Sequence, residues 1–300
     1  MIVVCGEALI DRIGGLNSPG GGPFNTARAL ARLGTPTQFL GRLSTDASGL
    51  QLRELLGADG ADLAMTSIGP EPTTLAIIEV DGAGHAAYRF VSEGTSAPNL
   101  TSQMVPASFA PSVNALHVGT LGLVFEPIAT TIAALVDREH TKRLVMVDPN
   151  IREPMLHGAD GYRPRLDRII AQSTIVKASD ADVAWLFPTL PFLEAARALL
   201  ARGPRLVIVT LGAEGAVGIS VDSEVKVLAP AVQVVDTIGA GDAFGAALLA
   251  WLHDHSKLSR DLRLERDELR GALEFACLVA SLTCTRAGAD PPWSRELDPG

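Results

Sequence analysis

The chain has 300 residues, 47% hydrophobic and 20% charged, proportions that exclude disordered and low-complexity classes and fit one large α/β domain or two ordinary ones. Lys plus Arg number 25 against 34 for Asp plus Glu, a net charge of −9, which argues against a non-specific nucleic-acid binder or a binder of anionic membranes, both of which depend on basic patches. Three scattered cysteines without CxxC spacing, a start (MIVVCGEALID) lacking a basic leader, and no apolar run near about 18 residues predict a soluble protein of a reducing compartment, the cytoplasm.

Short apolar runs alternate with helical stretches along the chain. Ile2–Cys5, Ala115–Val118, Leu144–Val147, Ile175–Val176 and Leu206–Thr210 read as buried strands. Asn25–Leu33, Ser48–Leu56, Pro127–Arg138, Arg163–Gln172, Ala181–Phe187 and Phe192–Arg202 carry helical periodicity. This alternation predicts a mostly parallel sheet with helices on both faces, in which the site lies beyond the carboxyl ends of the strands. One segment departs from it. Thr74–Val80 and Ala86–Val91, separated by Asp81-Gly82-Ala83-Gly84, read as a hairpin, either a small projecting sheet or an antiparallel edge of the main one. Ser259–Arg270 is dense in both charges and reads as a solvated helix face, and the proline-containing tail from Ala289 reads as extended.

The most informative stretch is Val232-Gln-Val-Val-Asp-Thr-Ile-Gly-Ala-Gly-Asp242, which reads as a strand, a glycine turn and a helix beginning near Asp242. Gly239, Ala240 and Gly241 can turn backbone N–H groups toward one anion at a helix N-terminus. A dinucleotide fingerprint fits poorly, because no second strand with an acidic residue follows and Asp242 would face the pyrophosphate. A general base beside an anion hole fits both features, and an Asp that merely caps the helix is the equal alternative. The second stretch is Gly20-Gly-Gly-Pro-Phe-Asn25. Its glycines permit close backbone approach and Asn25 offers a donor and an acceptor suited to a sugar diol, while taken alone it reads as a turn with an N-cap. The chain lacks GxxxxGK[ST], GxSxG and HExxH, which excludes a P-loop enzyme, an α/β-hydrolase and a zincin.

Together, the segment from Gly20 to Gly34 and Asp236-Thr-Ile-Gly-Ala-Gly-Asp242 resemble the two signatures of the PfkB family of carbohydrate kinases. Gly6-Glu-Ala-Leu-Ile-Asp11, His117-Val-Gly-Thr120, Asp148-Pro-Asn-Ile-Arg152, Thr210-Leu-Gly-Ala-Glu-Gly215 and Arg286-Ala-Gly-Ala289 match further landmarks in the family's order, and within the family the chain is most similar to bacterial fructokinases. The resemblance implies a ribokinase-like three-layer αβα sandwich over residues 1–300, with a small β lid from about 12–18 and 73–93. It implies ATP-dependent phosphorylation of the primary hydroxyl of a small sugar, fructose first, with 2-keto-3-deoxygluconate, ribose or a nucleoside as alternative acceptors. A non-catalytic sugar- or nucleotide-binding protein is the remote alternative.

Position by position, Asp242 matches the catalytic base and Gly239, Ala240 and Gly241 the anion hole. Arg152 matches a residue near the phosphates or substrate, though a surface ion pair would also explain it. Asp11, Gly21, Gly22 and Asn25 match sugar-binding positions, with Phe90, Tyr88 or Arg89 of the hairpin closing over them. Thr210, Gly212 and Gly215 resemble the nucleotide loop. Lys177 is placed to meet phosphate or, alternatively, to be solvated. Cys277 stands near the adenine position, where a core thiol is the simpler reading. The family's Asn-x-x-Glu element is here Ser179-Asp-Ala-Asp182, so Asp182 is the expected contact to Mg²⁺ through water. Asp236, with carbonyls near Ile238, Thr283, Arg286 and Gly288, resembles a monovalent-cation site that would take K⁺, although Pro292 stands where a hydroxyl can serve. The expected partners are the sugar and ATP, with neither nucleic acid nor membrane, and a second copy of the chain through the apolar lid residues Leu75, Ile77, Val80, Phe90 and Val91.

Overall fold

The computed structural model describes residues 1–80, 86–156, 158–159 and 161–297. The expected hairpin turn at 81–84, the lid side chain of Tyr88 and the last residues of the tail lie outside what is described.

The chain opens with strands β1 (Ile2–Cys5), β2 (Leu9–Ile13) and β3 (Leu16–Gly20) and helix α1 (Gly22–Arg32). Then come β4 (Thr37–Leu40), β5 (Arg42–Ser44), α2 (Ala47–Asp59), β6 (Ser67–Gly69), β7 (Leu75–Val80) and β8 (Ala86–Val91). From there strands and helices alternate: β9 (Ala115–Gly119), α3 (Ile128–Glu139), β10 (Leu144–Asp148), α4 (Tyr162–Gln172), β11 (Ile175–Ser179), α5 (Asp180–Leu186), α6 (Phe192–Leu200) and β12 (Leu206–Thr210). Strands β13 (Ala216–Ser220) and β14 (Glu224–Val227) precede helices α7 (Ala240–Asp254) and α8 (Arg266–Cys284).

The main sheet has the order β14-β13-β12-β11-β10-β9-β1-β4, parallel from β4 to β12, with β13 and β14 added antiparallel. Its continuous apolar strands follow from burial on both faces. Ile2 and Val4 pack with α1, α2, α7 and α8, whereas Val3 and Cys5 pack with α3, α4, α5 and α6. Each fully buried Ile or Val of these strands stabilises the fold by roughly 1.5–3 kcal/mol relative to exposure, so the two helical layers are held by the sheet they cover.

The hairpin belongs to a separate four-stranded sheet, β3-β2-β7-β8, rather than to an edge of the main one. Strands β2 and β7 run parallel, and antiparallel strands flank them. This small sheet takes residues 9–13 and 16–20 as well as the hairpin, because β2 follows β1 directly and carries Asp11 away from the main sheet.

Two expected elements differ. Val232–Val235 forms no strand: Val234 and Val235 stay 58% and 63% exposed, and the Val235 N–H donates to the carbonyl of Cys284 instead of to a neighbouring strand. Within Ser259–Arg270 the helix starts only at Arg266, where Glu265 and Glu268 form a reciprocal capping box.

Helix α1 is tied to the far end of the sequence. Arg28 and Arg32 donate through Nε to the two oxygens of the buried Asp59 at 2.6 and 2.8 Å. Arg28 also reaches the carbonyl of Ala289 at 3.2 Å, and Arg32 reaches the carbonyl of Pro291 at 2.7 Å and Asp290. Among the described residues no helix is long and apolar enough to cross a membrane.

Candidate active site

The carboxyl ends of the central strands, the root of the small sheet and the N-terminus of α7 enclose a cavity of about 490 Å³. Asp11, Gly21, Gly22, Asn25, Phe90, Arg152, Lys177, Ile238, Gly239, Gly241 and Asp242 all line it. Eleven residues selected from sequence, drawn from six separate stretches, therefore share one space.

Gly239 is the N-cap of α7, with φ of +75°, and a Cβ there would run into Ala289. Only glycine combines that left-handed backbone with that packing. Ala240, Gly241 and Asp242 form the first turn, whose N–H groups lack intrahelical carbonyls and carry the positive end of the helix dipole. Gly21 caps α1 in the same manner, with φ of +107° and a Cβ position 2.8 Å from the carbonyl oxygen of Glu7. One turn into α1, Asn25 Nδ2 donates to Asp242 Oδ2 at 2.8 Å, leaving the buried Asn25 Oδ1 without a partner.

Electrostatics separate the carboxyl groups of the cavity from ordinary surface acids. Burial pushes Asp242 up to about 6, opposed by the Asn25 hydrogen bond and the Lys177 charge. Burial likewise raises Asp11 to about 6, with Arg152 pulling the other way. Lys177 is buried inside β11 rather than solvated. Its Nζ pairs with Asp148 at 2.6 Å and stands close under Gly241. Burial works to lower its pKa, but the charge and hydrogen bond of Asp148, with the charges of Asp242 and Asp182, outweigh burial and raise it. Lys177 is thus a fixed cation beneath the glycine turn, on the Asp242 side. Arg152 is exposed at the cavity mouth, its charge acting on both Asp11 and Asp242.

A second cleft of about 520 Å³ meets the first at Thr237 and Gly241, which line both. Thr210, Gly212, Gly215 and Cys277 line it together with Ala240, Phe244 and the apolar run Ala229–Val232. Cys277 is 3% exposed, and burial pushes its thiol up to about 11, as for a packing residue. Lys177, grouped from sequence with these residues, lies on the other side of the glycine turn.

Two expected metal positions have other tasks. Asp182 is 4% exposed and lines neither cavity; it accepts from Ile151 N at 2.7 Å through Oδ1 and from Ser179 N and Oγ, both at 2.8 Å, through Oδ2. It caps α5 and pins the loop after β10. Ile238, Thr283, Arg286 and Gly288 do gather around Asp236, but its two oxygens accept from the N–H groups of Ile238 (3.0 Å) and Gly288 (2.8 Å). The Thr283 carbonyl accepts from Arg286 N, the Gly288 carbonyl from Asp290 N, and the Arg286 guanidinium pairs with Glu296. Among the described residues, the carbonyls of Ile238 and Arg286 accept no backbone hydrogen bond.

Glu7, Thr120 and Asn150 also line the first cavity and were not among the residues selected from sequence. Burial pushes Glu7 up to about 7, and its Oε2 accepts from Gly122 N at 2.8 Å. The signal for all three was available: each follows a strand end, at β1, β9 and β10, where the site of a parallel sheet lies.

The profile of the pfkB family of carbohydrate kinases matches residues 8–296. A fructokinase from Rhizobium leguminosarum bv. trifolii is 38% identical over 277 residues, covering 89% of this chain and 84% of that protein. Among solved structures, the fructokinase with bound ATP from Xylella fastidiosa superposes with a TM-score of 0.88 at 25% identity, covering 96% of this chain and 93% of that one. The fructokinase from Vibrio cholerae O395 with fructose, ADP and calcium ion bound gives 0.84 at 27% identity, covering 96% and 94%. With this coverage, and a signature turn placed where two cavities meet, the chain belongs to the pfkB family of carbohydrate kinases.

Proposed function

We propose that this carbohydrate kinase transfers the γ-phosphoryl group of ATP to the primary hydroxyl of fructose, giving fructose 6-phosphate. The observation that carries the reading is the junction of the polar cavity and the apolar cleft at the first turn of α7, with buried Asp242 on one side. The sugar occupies the first cavity, where Asp11 and Asn25 supply directional hydrogen bonds, and the nucleotide occupies the second.

Asp242 takes the proton of the attacking hydroxyl, aided by a pKa moved toward neutrality by burial. The N–H groups from Gly239 to Gly241 and the Lys177 ammonium receive the charge that builds on the transferring group. Arg152 at the mouth complements the phosphates or the sugar. Mg²⁺ bound with the ATP phosphates would neutralise their charge. Among the described residues no group of three or more His, Cys, Asp or Glu is placed to hold a metal ion by protein ligands alone.

The small sheet, with Phe90 facing the cavity, closes over the sugar and limits futile hydrolysis of ATP. Leu16, 77% exposed on β3, supports pairing of the small sheet with a second copy. The three unpaired cysteines fit a reducing cytoplasm.

The test is ATP consumption measured across fructose, 2-keto-3-deoxygluconate, ribose and nucleosides, with Mg²⁺ and with or without K⁺. Turnover highest on fructose supports the assignment. Preference for another acceptor moves the specificity while keeping the phosphoryl-transfer site, and silence on all of them overturns the catalytic reading.

A further inference from the structure

Three non-glycine residues hold left-handed backbone: Thr120 (φ 55°), Asn150 (φ 41°) and Ser256 (φ 57°). Ser256 has a local reason. It follows the end of α7, and its N–H returns to the carbonyl of His253, an ordinary helix stop. Thr120 and Asn150 end no helix. Each stands just beyond the carboxyl end of a strand, β9 and β10 respectively, and these strands are neighbours. A β-branched residue is especially costly in this region, and such strain persists where the surrounding structure enforces it, often at functional sites.

The enforcement is visible. Asp182 Oδ1 holds the N–H of Ile151, fixing the turn that carries Asn150. Glu7 Oε2 holds the N–H of Gly122, fixing the turn that carries Thr120. Both side chains consequently line the first cavity and meet there. Asn150 Nδ2 lies 3.4 Å from Thr120 Oγ1, the long limit of a hydrogen bond. On its other side Thr120 abuts Gly22. A Cβ at Gly22 would overlap the Thr120 hydroxyl and stand 3.2 Å from Asp242 Oδ1, so hydroxyl and carboxylate flank the same glycine.

We propose that Thr120 and Asn150 are contact residues for the acceptor sugar, exchanging their long mutual bond for hydrogen bonds to sugar hydroxyls beside the one that Asp242 deprotonates. The inference rests on the reading of this cavity as the acceptor site. It adds two residues to that site and explains the strained strand ends: the left-handed turns aim a hydroxyl and an amide at the sugar.

Thr120→Gly and Asn150→Gly test it, because glycine removes both the side chain and the strain. The expected result is a Tm no lower than that of the parent protein, a fall in kcat/KM for fructose of at least tenfold, and a KM for ATP within twofold. Thr120→Ser, which keeps the hydroxyl, is expected to retain at least half of kcat/KM. In a series of fructose analogues each lacking one hydroxyl other than the phosphorylated 6-hydroxyl, one analogue that is poorer for the parent enzyme is expected to cost Thr120→Gly no further activity. Unchanged kcat/KM in both glycine variants overturns the proposal, as does a fall in Tm with equal losses toward fructose and ATP. If the parent enzyme prefers another sugar, the same variants are measured on that sugar, so the acceptor assignment and the contact assignment fail separately. If it phosphorylates none, both fail.

Discussion

The two cavities that meet at Gly241 are built on different principles. The first is polar and constrained: Asp242, Asn25, Glu7 and Lys177 are buried, and two of its wall residues sit in left-handed backbone. The second is walled mainly by alanine, valine, proline and cysteine, with Thr210 and Ser281 among its few polar side chains. Where polar groups are buried, a missing partner costs about 1–3 kcal/mol, whereas an apolar wall loses little when one side chain changes. On the proposed assignment, discrimination is therefore concentrated on the acceptor side, and the donor side is tolerant by construction.

The sharpest way to break this contrast is Asp242→Asn. We expect kcat to fall about 10²–10⁴-fold with sugar affinity nearly unchanged, as loss of a general base predicts; near-normal kcat would remove Asp242 from the mechanism. In the parent enzyme kcat/KM should fall as pH drops through about 6, because the base is then protonated. The stability sign is the opposite. Burial raises this pKa above its ordinary value, so folding favours the protonated form, and the group's contribution is lost as pH rises through about 6. Asp242→Asn should therefore melt higher than the parent protein at pH 8, with the gap closing toward pH 4, as thermal denaturation at the two pH values will show.

Gly239→Ala comes next, on the shared boundary. The left-handed cap and the contact with Ala289 leave no room for a methyl group. We expect kcat to drop on the order of 10²-fold, as for loss of an anion-hole donor, with a lower Tm. On the acceptor wall alone, Asp11→Ala should raise KM for fructose about tenfold or more and leave KM for ATP unchanged, by steady-state kinetics. The smallest effect belongs to the donor wall. Cys277→Ala should change KM for ATP by less than about threefold, since the thiol serves as a small apolar group there. A large effect at Cys277 and a small one at Asp11 would invert the comparison.

Legibility in the sequence follows the same divide. The parallel core was readable because strands buried on both faces are unbroken apolar runs, and Ile2–Cys5 and Leu206–Thr210 match their strands end to end. The glycine turn and Asp242 were readable because their chemistry needs those residue types at that spacing. Leu9–Ile13 and Leu16–Gly20 were not, since LIDRI and LNSPG mix polar with apolar residues and lack an apolar run. Val232–Val235 misled for the converse reason: its valines look like a strand, yet the segment joins no sheet, and Val232 and Val234 line the apolar cleft. Asp182 was read through the family's metal element, and its three hydrogen bonds add a capping role that the motif does not announce. Thr120 and Asn150 carry no composition signal, because backbone strain is invisible in a residue's name.

The bonds from Arg28 and Arg32 to Ala289, Asp290 and Pro291 have a consequence in time. Ala289 is the packing partner of the Gly239 cap, and it is made about 50 residues later than that cap and about 260 later than the arginines that hold it. While the chain emerges from the ribosome, α1 and Asp59 can form first, with two buried arginines facing one carboxylate. The Gly239 turn gains its backing only when the 289–291 segment docks and relieves that excess charge, so the cavity that this turn helps enclose is completed only after that segment has been made.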